Sequence, residues 1–182
     1  LVGVVLGSIL GSFIALLKIS KIRPLQWIAS IYIEFLRGTP MLVQVFIVFF
    51  GTTAALGLDI SALICGTIAL VINSSAYIAE IIRAGINAVD KGQTEAARSL
   101  GLNYRQTMQS VVMPQAIKKI LPALGNEFVT LIKESSIVST IGVSEIMFNA
   151  HVVQGISFDP FTPLLVAALL YFLLTFALTR VM

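Results

Sequence analysis

Apolar stretches of membrane-span length alternate with short polar ones along this chain. Residues 1–17 read as a first span, with Gly3, Gly7 and Gly11 at i, i+4 and i+8 as a small-residue face for close helix packing. Lys18, Lys21 and Arg23 follow. Residues 24–36, with Trp27 and Tyr32, form an apolar helix that is either interfacial or the start of the next span. Arg37-Gly38-Thr39-Pro40 breaks it, because a proline disfavours helix in the residue before it and a glycine adds backbone freedom. Residues 41–56 give the second full span and Gly57-Leu58-Asp59 a turn. Residues 61–82 give a third span, interrupted at Asn73-Ser74-Ser75. The longest polar stretch is 83–106. Residues 107–131 give a fourth span containing Pro114, Pro122 and Gly125. Residues 133–160 are mixed, with short helical pieces, and 161–182 are the last span.

Composition agrees with this pattern. Of the 182 residues 57% are hydrophobic and 12% charged, half the roughly 25% charge of a soluble domain. The mean hydropathy is +0.96. At roughly 20 residues per span the length allows four to six spans, and one membrane domain over 1–182 is expected. The chain opens inside an apolar run without a charged lead or an initiator Met, which reads as a trimmed start and not a signal peptide. With the first loop in the cytoplasm, Lys18, Lys21, Arg23, Arg37, Arg83, Lys91, Arg98, Arg105, Lys118, Lys119 and Arg180 all fall at the inner side. Asp59, Lys133, Glu145, His151 and Asp159 do not. This positive-inside bias predicts five spans, with the N-terminus outside and the C-terminus cytoplasmic.

Other chemistry is sparse. Cys65 lies in an apolar run and reads as a small buried hydrophobe, and His151 as structural. One His and one Cys in unrelated segments offer neither a metal site nor an intramembrane catalytic pair. No G-x-x-x-x-G-K-[ST] is present, so the chain holds no nucleotide site of its own. No internal repeat supports an inverted-repeat carrier.

Within the polar stretch, VDKGQTEAARSLGLNYRQT, residues 93–100 favour helix. Glu95 in the first turn and Arg98 later suit the helix dipole, and Gly101 is a C-terminal stop. A helix of two or three turns cannot span a bilayer. With Ala96, Ala97 and Gly101 allowing close approach, it is either a peg for a partner's groove or a loop helix lying on the membrane.

The run Glu95-Ala96-Ala97, three residues, Gly101, nine residues, Val111-Val112-Met113-Pro114 resembles the signature loop of permease subunits in ATP-binding-cassette (ABC) importers. EFLRGTPMLVQ at 34–44, NSSAYIAEIIRAGI at 73–86, LPALGNEF at 121–128 and LIKESSIVSTIGVSEI at 131–146 resemble the polar amino-acid subgroup, the histidine, glutamine, arginine and opine permeases. The resemblance covers nearly the whole chain. Asp90, where that subgroup usually has Pro, departs from it and is expected to alter loop stiffness, not function. The resemblance implies an all-α membrane protein of the type I ABC importer permease fold, with five transmembrane helices and a cytoplasmic coupling helix in a loop at about 87–106. It implies that Lys91, Gly92, Glu95, Ala96, Ala97, Arg98, Leu100 and Gly101 seat in a cytoplasmic ATPase dimer, which binds ATP and Mg, so that this chain carries no cofactor and is not an enzyme. A second permease chain (identical or related), an extracytoplasmic amino-acid-binding protein docking near 142–159, a bacterial inner-membrane location and no nucleic-acid partner are implied too. The rival class, an ion-coupled carrier working alone, gives the 95–114 segment no role.

Ionisable groups inside spans are costly and usually face a cavity. Glu80 and Arg83, at i, i+3, suit a structural ion pair or gate, or else a substrate contact. In GNEFVTLIKESS, Gly125-Asn126 can unwind the span, as broken helices do where transporters line a midplane site. Glu127, Thr130, Lys133 and Glu134 then share roughly one face. Lys133 and Ser135 could hold a substrate carboxylate, and Glu127 an ammonium or a positive side chain; alternatively Glu127 and Lys133 pair with each other or with a second subunit. Asn126, Gln44 and Asn73 are further pocket candidates, or helix-to-helix hydrogen-bonding groups. Many glutamine-type members have Gln where this chain has Glu127, so a basic amino acid (arginine, lysine or histidine) is the expected cargo, with polar neutral ones such as glutamine the alternative.

Overall fold

The computed structural model describes residues 2–181, so Leu1 and Met182, the terminal residues of the expected first and last spans, lie outside the described residues. Among the described residues the chain is helical, with no strand: α1 Val2–Ile19, α2 Arg23–Gly38, α3 Met41–Leu56, α4 Ala62–Asn87, α5 Lys91–Ser99, α6 Tyr104–Thr107, a π-helical turn Met108–Val112, α7 Met113–Glu134, a 3-10 stretch Ser135–Ile141, α8 Ile146–Ser157 and α9 Thr162–Val181. Three helices, α1, α4 and α9, are long and apolar enough to cross a membrane alone. Two bent pairs raise the number to five if each is one crossing: α2 with α3, bent by 107°, and the helix from Tyr104 with α8, bent by 48°.

α4 is the centre. Its 26 residues rise about 39 Å, and α1, α2, α3 and α7 all pack on it. The expected interruption at Asn73-Ser74-Ser75 does not occur. The side-chain donors there are satisfied without opening the helix, while the buried Asn73 Oδ1 has no hydrogen-bond partner among the described residues. Ser75 Oγ donates to the Ile72 carbonyl (2.7 Å), Ser74 Oγ to Val71 (3.4 Å), and Asn73 Nδ2 to Gln44 Oε1 (2.9 Å). The small side chains instead admit α1. Gly7 sits against Ser74, and a Cβ on Gly11 would stand 2.8 Å from Ile78 and the Ser75 carbonyl. Gly3 meets nothing, so two of the three glycines form the packing face.

The break expected at residues 37–40 is real. Thr39 is extended (φ −112°, ψ 144°), as a residue before proline tends to be. The open end of α2 is closed from α3: Gln44 Nε2 donates to the Leu36 carbonyl (2.7 Å), the Thr39 carbonyl (3.1 Å) and Thr39 Oγ1 (2.9 Å). The 24–36 segment is therefore one arm of a broken pair.

The break expected at Gly125-Asn126 is absent; α7 runs unbroken to Glu134, with Gly125 buried and Asn126 exposed. Neither residue lacks a backbone donor, so the helical hydrogen bonds continue. The irregularity lies earlier, where the π turn precedes Pro114, whose missing N–H removes one helical bond. The 3-10 stretch ends at Gly142 in the left-handed region (φ 84°). Glu145 caps α8, accepting from the Met147 and Phe148 amides (2.9 and 2.6 Å), and Tyr171 Oη of α9 donates to the same carboxylate (2.5 Å).

Candidate functional site

Two regions hold most of the candidate residues. The first is α5. It begins at Lys91, two residues before the expected start, because Asp90 caps it: its Oδ1 accepts from the Gly92 amide at 2.6 Å. Glu95 consequently falls outside the first turn, contrary to expectation. The stop is at Gly101 (φ 86°), where the amides of Gly101 and Leu102 donate to the Arg98 and Ala97 carbonyls (3.0 and 3.2 Å), a Schellman closure. A capping box of Asn103 and Gln106 starts the next helix at once. Ala97 is buried at 5% exposure, with α5 packed on the π turn. It faces its own chain, unlike the outward placement expected. Lys91, Gly92, Glu95, Ala96, Arg98 and Gly101 face outward, and Leu100 stands 82% exposed. The result is a rigid knob with an apolar tip.

The second region surrounds α7 at mid-height. Ile120 fills the space beside Gly85 of α4. Seven residues on, about 10 Å along the axis, Glu127 is half-buried. Thr130 and Glu134, at i+3 and i+7, share its side and are also half-buried. Glu127 lies within electrostatic reach of Glu134 and of Arg37. Lys133 does not join them: six residues place it about 120° round the helix from Glu127, and it is exposed. Among the described residues Glu80–Arg83 is the one ion pair, so no Glu127–Lys133 pair forms, while the expected i, i+3 pair does.

The remaining candidates scatter. Ser135 lines an open apolar cavity of about 640 Å³ with Val2, Leu6, Leu63, Thr67 and Leu131. Asn126 borders a different one, beside Phe128 and Thr179. Gln44 and Asn73 are buried and bonded to each other; Gln44 closes the α2–α3 break, while Asn73 Oδ1 has no hydrogen-bond partner among the described residues.

Arg37, counted from sequence with the inner-side cations, is exposed. It ends α2 at the break, and its guanidinium lies over the Tyr77 ring, 5.4 Å from the centroid. Tyr77 is about 15 Å from the Asn87 end of α4, near the helix's middle.

The family described as "Binding-protein-dependent transport system inner membrane component" matches residues 3–182. The Bacillus subtilis (strain 168) arginine transport system permease protein ArtQ is 46% identical over 178 residues, covering 98% of this chain and 81% of that protein. A Rickettsia conorii protein named for glutamine transport (GlnP) is 42% identical over 173 residues, covering 95% and 79%. A crystal structure of an amino acid ABC transporter with histidines superposes with a TM-score of 0.94 at 49% identity, covering 99% of this chain and 84% of that one. An inward-facing MetNI methionine ABC transporter shares the fold, with a TM-score of 0.71 at 20% identity.

Proposed function

The chain belongs to the binding-protein-dependent transport system inner membrane component family and is the permease subunit of an amino-acid ABC importer; from that premise we propose that its cargo is a basic amino acid, arginine foremost. It is not an enzyme: in such importers a separate ATPase hydrolyses ATP, and a binding protein and a second permease chain complete the system.

The observation behind this reading is Glu127. It is half-buried on a membrane helix, has no ion-pair partner, and shares its side of α7 with Glu134. An isolated carboxylate there costs on the order of 2.5 to 3.5 kcal/mol unless a cation meets it. A cargo bearing a guanidinium or ammonium side chain supplies that cation; a neutral amide does not. The names of the B. subtilis arginine permease and of the solved transporter with histidines support a basic cargo. The glutamine-named relative makes a neutral cargo the competing outcome.

Glu127, Thr130 and Glu134 form the cargo-facing side in this reading, within one membrane domain over 1–182. The outer face of α5, with Leu100 at its tip, seats in the ATPase, so that ATP-driven closure moves α5 and the spans open outward. α5 is cytoplasmic, the N-terminus outside and the C-terminus inside, in a bacterial inner membrane. The 142–159 region receives the binding protein.

The test is ATP-driven uptake of labelled arginine and glutamine into liposomes holding the complete importer. Glu127→Gln is expected to lower the arginine-to-glutamine ratio about tenfold or more. An unchanged ratio with uptake intact removes Glu127 from the cargo path and the basic preference with it.

A further inference from the structure

We propose that the cavity between neighbouring ends of α1, α2 and α4 binds the phosphate of an anionic phospholipid. The proposal rests on the reading that the α5 end of the bundle lies at the inner leaflet.

The cavity, of about 360 Å³, is lined by Lys18 and Ile19 of α1, Gln26 and Ser30 of α2, and Arg83 and Asn87 of α4. Three helices bring polar groups together at one end of the bundle. Lys18 is in the last turn of α1, Gln26 in the first turn of α2, and Asn87 ends α4, with α5 beginning just beyond it.

The first observation is that this cavity is rich in donors. Lys18 Nζ donates to Ser30 Oγ at 2.5 Å, and Ser30 Oγ donates in turn to the Gln26 carbonyl at 2.6 Å. Arg83 gives Nε and Nη2 to Glu80 and keeps its Nη1 hydrogens. Among the described residues the side-chain amides of Gln26 and Asn87 make no hydrogen bond. Lys18 and Arg83 are balanced by one acid, Glu80, so one positive charge is in excess. Arg23, one turn before Gln26, is exposed on the same side of α2. Glu34, one turn beyond Ser30, does not line the cavity. Free N–H groups with excess positive charge match the oxygens of a phosphate.

The second is the side on which the cavity lies. Gly85 of α4 faces Ile120 of α7. Arg83 and Asn87, each two residues from Gly85, stand about 160° round the helix from it. The cavity therefore lies away from α7 and Glu127, and cargo in transit is not its ligand.

The third is the apolar surface around it. Leu16 of α1 and Trp27, Ile28 and Ile31 of α2 are between 61% and 72% exposed. Trp is favoured at membrane interfaces. Acyl chains can cover these side chains, whereas free phosphate cannot. Basic pockets between membrane helices on the cytoplasmic side suit anionic headgroups.

The experiment places the complete importer in nanodiscs of equal parts phosphatidylcholine and phosphatidylglycerol, extracts it in detergent, and counts retained lipid by native mass spectrometry. The native importer is expected to retain phosphatidylglycerol over phosphatidylcholine about tenfold or more. Lys18→Gln keeps a donor for Ser30 but loses the charge, and Gln26→Glu puts a carboxylate into the cavity; each brings the ratio close to one. Lys118→Gln removes the same charge from an exposed position outside the cavity and leaves the ratio unchanged. A native ratio near one, a ratio kept in either cavity variant, or an equal loss in Lys118→Gln overturns the proposal. Displacement of phosphatidylglycerol by inorganic phosphate overturns it too, since the site then takes the free ion. Should Gln26→Glu not assemble, Lys18→Gln decides alone; if neither assembles, the cluster holds helices together and not a lipid, and the proposal fails. Both leaflets of the nanodisc carry both lipids, so the result does not depend on orientation. Labelling of Lys118→Cys from outside intact cells would overturn the orientation and not the headgroup site.

Discussion

Gln44 shows how much one side chain decides in a membrane protein. A helix break inside a bilayer exposes carbonyls that water cannot reach. Gln44 donates to three acceptors across the break and accepts from Asn73 on α4, so one residue both closes α2 and fixes the break's height. Gln44→Leu keeps the bulk and strands these groups. The expected cost is on the order of 2 kcal/mol or more, read as a lower unfolding midpoint of the purified complex; Gln44→Glu is expected to destabilise too, because it removes the donor. An unshifted midpoint in Gln44→Leu would show the break to be held elsewhere.

At the scale of elements, the α1–α4 pair depends on close backbone approach. Gly11→Leu would drive a branched side chain into Ile78 and the Ser75 carbonyl. Overpacking of this kind costs about 1–3 kcal/mol, while Gly3→Leu, facing open space, should be neutral in the same melting experiment. The turn before α9 adds a pH dependence. Asp159 Oδ1 accepts from the Phe161 and Thr162 amides at 2.9 and 3.1 Å, and with Thr162 these bonds hold its carboxyl below the ordinary carboxylate range. A depressed folded value means the stabilisation is present above the unfolded value, about 3.9, and is lost as pH falls through the folded one. Hydrogen exchange in this turn should therefore be protected equally at neutral and mildly acidic pH, loosening only below about pH 4. Asp159→Asn keeps an acceptor and should abolish that step.

Across the whole molecule, the two candidate regions are joined through one continuous helical run, from α6 to α7. α5 is clamped at both ends, by Asp90 and Gly101, and packs on the π turn that leads without interruption into α7, which carries Glu127. In the reading proposed above, a push on the knob reaches Glu127 through a single helix. Leu100→Asp puts a charge on the exposed tip without touching any packing. It should abolish cargo-stimulated ATP hydrolysis and uptake while arginine binding to the complex stays unchanged. Equal loss of binding would mean that the tip serves the permease's own fold.

The sequence by itself determined the helical class, the order of the apolar segments, the short polar helix with its glycine stop, and the Pro40 break, because hydropathy, proline and glycine act locally. Its EAA-type spacing and flanking segments carried the family. Only the tertiary structure decided which polar residues meet. Gln44 and Asn73 proved to bind each other, Ser74 and Ser75 to admit α1, and Gly125-Asn126 to stay helical, because a polar group in a span is equally satisfied by a neighbouring helix, its own backbone or a cargo. Lys133 turned outward for a related reason. Read along the chain it shared a face with Glu127, whereas six residues of regular helix turn it about 120° round α7 from that side.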